Sequence, residues 1–595
     1  MKSTKSINWD LERLFPGGKR STKLQERIGD LFKQITETRQ NIESSSSALS
    51  EIIPLIYQVQ EIHTDIFEID EYVICLSSEN VQDSATLGLQ DRTSQLKAFL
   101  NTLSLEFEQF LAEMDEMVWQ ELVDHPEVEG IETFLIERRQ KAANQLDSRI
   151  EKVIHSLSVD GFAGWEDHYE QEFSRLRVPV EKEGFTENLP FDTAFMQAML
   201  SDNRSIRQQT AKSMLSVCKD NEERFASIFN HFAGYRNELY RLRQCSNPIK
   251  EMYEQNRISE LSVTSMMSAL HSNKSLLHQF LKRKAEIIGT EKLNWYDIYA
   301  PTFPATTSLS YDQAADIIIQ QFHQYSEKLG KFAETAFNDG WIDAVPKEHK
   351  RHGAFCASMP NAKESRVLLS FQGHYQDVVT MAHELGHAYH NFILHEQPGF
   401  AQHPGTGLAE TASTFAENLV LDAAVDTAET EREKLALLEM KIMNGLKYVS
   451  YIPPKFEFEQ LFYKKRSSGK LSALEITELM EKTERSWFQD SLQDVNPYNW
   501  MTIPHFYNTE KAFFNLPYTI GYLFSNGIYA LYQQDKEAFP LKYDQLLQHS
   551  GNLSMEQLGS RFLQQDLQGP SFWETSVHPL EASIKQYLSK TDSYK

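Results

Sequence analysis

Cysteine is scarce. Four residues in 595, Cys75, Cys218, Cys245 and Cys356, stand far apart and form no Cys-x-x-Cys. That spacing excludes a cysteine zinc ribbon and a dithiol redox motif, and in so large a chain it implies free thiols in a reducing compartment. Positive charge is the scarcer sign: 59 Lys and Arg face 84 Asp and Glu, a net charge of -25 at pH 7. Such a surface repels phosphate backbones, so a nucleic-acid partner is excluded. It would favour cationic peptides, although solubility alone explains it. No apolar run approaches the length of a membrane span. The first nine residues lack the apolar core of a signal peptide, so the expected location is the cytoplasm, with no membrane partner. Nothing in the sequence sets an oligomeric state.

Sustained heptads and internal repeats are also missing, so the long amphipathic stretches read as packed antiparallel helices. The periodicity predicts helices over 24–45, 96–119, 131–156, 203–245 and 258–290. It weakens over 291–375. There, residues 295–301 read as extended chain, and 353–359 with 366–371 as two short strands around a Pro360-Asn361 turn. A free strand edge could pair with an extended peptide; a buried structural hairpin reads equally well. The expected organisation is a helical N-terminal lobe, 1–200, followed by a domain carrying the chemistry, 201–595.

That chemistry centres on His383-Glu384-Leu385-Gly386-His387, an H-E-x-x-H inside a helical stretch. Spacing of i to i+4 sets both imidazoles on one helix face, where they can share one zinc ion. Glu384 directly follows the first ligand and can reach a zinc-bound water. Catalytic zinc takes three protein ligands. Pro404-Gly405 breaks the helix, Thr406 can cap a second one, and Glu410, 23 residues after His387, falls in its first turns. An antiparallel return would bring Glu410 to the histidines. Glu417, two turns later on the same face, could accept an N–H from a ligand imidazole; a solvated charge is the plainer alternative. Gly386, between two ligands, suggests a close approach of another segment; a glycine merely tolerated in the helix reads equally well. His374, His390, His395 and His403 read as ordinary histidines.

His-Glu-Leu-Gly-His followed by Ala409-Glu410-Thr411-Ala412-Ser413-Thr414-Phe415-Ala416-Glu417 resembles the thimet-type oligopeptidase family, and within it the oligoendopeptidase F branch. The opening Trp9-Asp10-Leu11-Glu12-Arg13-Leu14-Phe15-Pro16, the Gly353-Ala354-Phe355-Cys356 segment, and His505-Phe506-Tyr507 with Pro517-Tyr518-Thr519-Ile520-Gly521-Tyr522 are similar too. The resemblance implies a mostly α, large two-lobed peptidase with a deep central channel and a small β-sheet beside the zinc helix. It implies one zinc ion per chain on His383, His387 and Glu410, with Glu384 as general base. It also implies that His505 and one or more of Tyr507, Tyr518 and Tyr522 steady the substrate and the oxyanion. The chain departs from the pattern at Phe514, where many relatives carry Tyr, so which tyrosine acts stays open. An aromatic core stripe is the competing reading for each of the three.

The function implied is a zinc-dependent endopeptidase hydrolysing internal bonds of short unfolded oligopeptides. Two other readings compete. A scaffold that had lost turnover would not need the complete His, Glu, His, Glu set. A zinc aminopeptidase would need acidic residues for a free α-amine before the zinc helix, and Glu364 and Asp377 are not arranged for that.

Overall fold

The computed structural model describes residues 5–45, 48–182, 184–303 and 308–594; Met1 to Thr4 of the N-terminal stretch read above lie outside them. The fold is mostly helical, with two small sheets among the described residues. Periodicity explains the first helices. In Thr22–Ser44, Leu24, Ile28, Leu31 and Ile35 recur every three or four residues and are fully buried, while Ser21 caps the helix by accepting from the Leu24 N–H. This stripe packs with Leu49–Glu79 and Ser84–Glu113. Each such side chain contributes about 1.5–3 kcal/mol by leaving water.

Two expected helices are broken by aspartate caps. The run over 96–119 ends at Glu113, and Asp115 starts Glu116–Val123 by accepting from the Met117 N–H. The run over 131–156 ends at Ala143, and Asp147 starts Ser148–Ser158 in the same way through the Arg149 N–H. Apolar periodicity continues across both breaks, which hid them. The region 291–375 is more helical than its pattern. Residues Tyr311–Tyr325 and Glu327–Asn338 are helices, joined at Ser326, whose extended backbone ends one and whose side chain caps the next. Trp295–Asp297 is a 3-10 turn rather than extended chain.

A hairpin that the periodicity did not suggest joins β1 (Arg177–Lys182) to β2 (Phe185–Pro190). The second sheet contains β3 (Ile342–Asp343), β4 (Phe355–Met359) and β5 (Glu364–Leu368) in the order β3-β5-β4. The expected strand pair is present with the second strand shifted towards the turn. β5 is central and buried along its length, paired parallel to β3 and antiparallel to β4. β4 is an edge strand.

The chain forms two compact units. The first comprises Met1–Asn144, Thr307–Ala423 and Leu531–Gln565; the second comprises Gln145–Thr306, Ala424–Ala530 and Asp566–Lys595. The expected division at residue 200 does not coincide with these units, because each is assembled from segments far apart in sequence. Within the first unit, helix Tyr375–Leu394 packs against β4, β5 and the helices Tyr311–Tyr325, Glu327–Asn338 and Phe539–Gln548. No helix of the described residues is long and apolar enough to cross a membrane.

Candidate metal centre and the His505 cluster

Helix Tyr375–Leu394, the histidine helix, opens with a capping box: the His374 side chain accepts from the Asp377 N–H, and Asp377 accepts from the backbone of His374 and Gln372. Val378, Val379, Met381, Ala382 and Leu385 fix the helix by burial. His383 and His387 therefore project together, their Nε2 atoms 3.2 Å apart. Pro404-Gly405 turns the chain, and Thr406–Thr427, the glutamate helix, runs back. Its Glu410 Oε2 lies 3.5 Å from His383 Nε2 and 3.7 Å from His387 Nε2.

Gly386 permits this approach. A Cβ on it would stand 2.5 Å from the Ala412 carbonyl oxygen and 2.6 Å from Ser413 Cα. Both are backbone atoms that cannot step aside, so the two helices touch where side chains would hold them apart.

The outer nitrogens are already engaged. His383 Nδ1 is 2.5 Å from Glu417 Oε1, and His387 bonds the Ala409 backbone carbonyl. Each ring thus donates from its outer nitrogen and leaves Nε2 facing inward. Two imidazole nitrogens and a carboxylate oxygen face one another, an arrangement that suits a cation able to displace the proton held by His383. Ligands held at about 2.0–2.1 Å from a tetrahedral zinc are separated by roughly 3.4 Å, and the observed 3.2–3.7 Å fits. These three residues form a cluster whose ligand atoms lie within 4.8 Å of one another.

The electrostatics follow from burial and from three carboxylates and two imidazoles in one neighbourhood. Burial opposes charge on His383, but the Glu417 hydrogen bond and charge, with Glu384 and Glu410, outweigh it and carry the pKa up to about 9. Burial pushes His387 down to about 4. Burial lifts Glu384 to about 7, with His383 opposing and Glu410 and Glu417 adding to the rise. Glu384 is 5% exposed, a carboxylate that the chain keeps almost out of water.

The other histidines of this region are committed elsewhere. His390 Nε2 pairs with Ser550 Oγ at 2.7 Å, His395 Nε2 with Ser358 Oγ at 2.9 Å, and the His403 ring packs edge-on to Phe67. All four cysteines are free. Burial pushes the Cys356 thiol well above its usual range, so it stays protonated. Sequence reasoning missed Glu71. It accepts from the Ser358 backbone on β4, and burial lifts its carboxyl to about 7. It lies 287 positions from Ser358, so no local pattern could have found it.

The second unit holds the C-terminal candidates. His505 sits in the 3-10 turn Pro504–Tyr507. Its ring stacks on Tyr518 at 5.7 Å with an interplanar angle of 16°, meets Phe514 edge-on at 4.8 Å, and places Nδ1 3.1 Å from Asn515 Oδ1. His505 and Tyr518 are both partly exposed. Tyr507 does not join them. It is fully buried, stacks on Tyr169 at 3.8 Å, and donates its hydroxyl to the Trp500 carbonyl. Tyr522 is 8% exposed and stacks on Tyr448, its hydroxyl in the space that Gly445 leaves by lacking a Cβ. Of the three tyrosines, Tyr518 keeps company with His505, while Tyr507 has the surroundings of a core aromatic.

The sequence profile described as Peptidase family M3 matches residues 197–576, more than half of the chain, and that described as Oligopeptidase F matches residues 102–177. The chain belongs to peptidase family M3. Membership makes it a metallo-oligopeptidase, and the resemblance drawn from the motifs holds. Group B oligopeptidase PepB of Streptococcus agalactiae is 22% identical over 85% of this chain and 86% of its own. Oligopeptidase PepF of Bacillus subtilis is 21% identical over 98% and 86%. Oligoendopeptidase-F from Enterococcus faecium has the same fold, with a TM-score of 0.72 at 16% identity, covering 96% of this M3 chain and 99% of its own. PZ peptidase A, solved with an inhibitor, gives 0.75 at 16% identity over 96% and 98%.

Proposed function

We propose that this M3 chain is a zinc-dependent endopeptidase that cuts internal bonds of short, unfolded oligopeptides. The observation that carries the reading is the convergence of His383, His387 and Glu410 with the buried Glu384 beside them. When bound, zinc would polarise the scissile carbonyl and acidify a water. The chain's own residues do the rest. Glu417 and the Ala409 carbonyl hold the two imidazoles with their Nε2 lone pairs inward. Glu384 takes the proton of the attacking water and delivers it to the leaving nitrogen. His505 and Tyr518 donate hydrogen bonds to the tetrahedral oxyanion. The names of the relatives, oligopeptidases and oligoendopeptidases, support short peptides as substrates. The four free cysteines suit a cytoplasmic site of action.

The test is Glu384→Gln in the zinc-loaded protein. The amide cannot accept a proton, so zinc content should match wild type while turnover of an N-acetylated oligopeptide falls to a trace. Near-normal turnover would remove Glu384 as the base. Strict dependence on a free N-terminus would instead make the chain an aminopeptidase.

A further inference from the structure

His505 is held from one side by a single side chain. Asn515, 4% exposed, places Oδ1 3.1 Å from His505 Nδ1, and its Nδ2 is buried with no hydrogen-bond partner among the described residues. An unpaired buried N–H costs about 1–3 kcal/mol and is rarer than an under-used carbonyl. The two ends of an amide occupy nearly the same space. Turned about its terminal bond, Asn515 would donate Nδ2–H to a bare Nδ1 and leave a carbonyl, the milder omission, in place of the orphaned donor.

This choice matters because His505 has one ring proton to place. Burial, together with the cations Lys447 and Lys511, holds its pKa below the ordinary value even against the upward pull of Asn515 Oδ1, a pull that the turned amide removes, so at neutral pH the ring is uncharged. The other faces of the ring meet Phe514 and Tyr518, which supply no compensating charge. A neutral imidazole has one donor nitrogen and one acceptor nitrogen. With Nδ1 protonated, Nε2 could only accept. With Nδ1 receiving a bond, Nε2 carries the proton and can donate.

We propose that Asn515 is a positioning residue that commits His505 to the tautomer protonated at Nε2. The proposal rests on the reading of His505 as an oxyanion donor. Asn515 itself is held by its loop. The buried Arg236 donates Nη2 to the carbonyls of Asn508 and Thr509 at 2.8 and 3.0 Å, Glu166 accepts from the Thr509 N–H at 2.9 Å, and the buried Glu459 bonds the Phe513 backbone. Three ionisable side chains thus hold the backbone between His505 and Asn515 from outside the cluster, and the amide has little freedom to follow a ring that shifts.

The experiment compares steady-state kinetics of Asn515→Leu, Asn515→Asp and His505→Ala in the zinc-loaded enzyme. Asn515→Leu keeps the volume and removes the amide. It should lower kcat by about 10- to 100-fold with little change in KM, within the cost of a misplaced reacting group. Combined with His505→Ala it should add nothing further, because both act through one imidazole. Asn515→Asp, the nearly isosteric variant that keeps the fold testable if the leucine does not, accepts Nδ1–H and so inverts the tautomer. Its Nε2 can donate only while the ring is an imidazolium, so the ratio of wild-type to variant kcat should grow as pH rises from about 6 to 9. A pH-independent ratio, a near-wild-type kcat for Asn515→Leu, or losses that multiply with that of His505→Ala would overturn the proposal. If His505→Ala itself kept its kcat, the reading of His505 would fall first, and the proposal with it.

Discussion

Gly386 and Ala412 meet backbone to backbone: the α-hydrogen face of one lies where any Cβ would stand 2.5 Å from the carbonyl oxygen of the other. Helix propensity alone favours alanine over glycine by roughly 1 kcal/mol. The contact reverses that sign. Gly386→Ala should lose about 1–3 kcal/mol of stability by overpacking, and should weaken zinc binding as Glu410 is pushed from the imidazoles. Thermal melts of the metal-free protein and zinc competition against a chelator measure the two effects separately. A stabilised variant with unchanged affinity would show that the helices part without consequence.

Glu417 is the partner of His383 Nδ1, not a solvated charge. Glu417→Leu should lower zinc affinity by about 10- to 100-fold, the usual cost of losing the group that orients a ligand imidazole. Glu417→Gln keeps an oxygen able to accept the N–H and should lose less. Chelator competition on both variants checks the order; equal affinities to wild type would return Glu417 to the surface.

The candidate metal centre was legible because its determinants are local. His383 and His387 share one helical turn, Pro404-Gly405 marks the break, and Glu410 lies in the first turns of the helix that begins at Thr406. Gly386 announced a close approach without naming Ala412. What the sequence hid is held by distant partners: Glu71 on Ser358 and Arg236 on Asn508. Tyr507, Tyr518 and Tyr522 were equal candidates in the sequence, and only the surroundings of each hydroxyl and ring separate them. The helices over 311–338 were obscured for another reason. Their apolar stripe, with Ile318, Phe322, Leu329, Phe332 and Phe337 buried, is interrupted at Ser326, where one helix ends and the next begins.

The tyrosines should therefore part company under substitution by Phe. Tyr518→Phe should lower kcat by up to about 100- to 1000-fold with KM and zinc content kept, the scale for one lost oxyanion donor. Tyr507→Phe should instead cost about 1 kcal/mol of stability, because the Trp500 carbonyl loses its donor, with kcat near wild type. Kinetics and melts on the pair decide. A catalytic loss at Tyr507 with none at Tyr518 would invert the assignment.

Glu459 sets a pH dependence of stability. It is 1% exposed, with one carboxylate oxygen unpartnered among the described residues. Burial lifts its pKa to about 8, against the charge of nearby Arg236 and the Phe513 backbone bond. A raised folded-state pKa means that the native chain holds the proton more tightly than the unfolded one. Its stabilising contribution is complete below the unfolded value, near 4.5, and is lost as pH rises through the folded value, near 8. Within that window the slope is at most about 1.4 kcal/mol per pH unit. Glu459→Gln cannot ionise and can still accept the Phe513 N–H. Melts at pH 5 and pH 9 should show wild type losing stability relative to the variant as pH rises, with Asn508 and Phe513, and so the loop beneath His505, loosening first. A difference between the two proteins that stays constant across this range would mean that Arg236 keeps Glu459 ionised throughout.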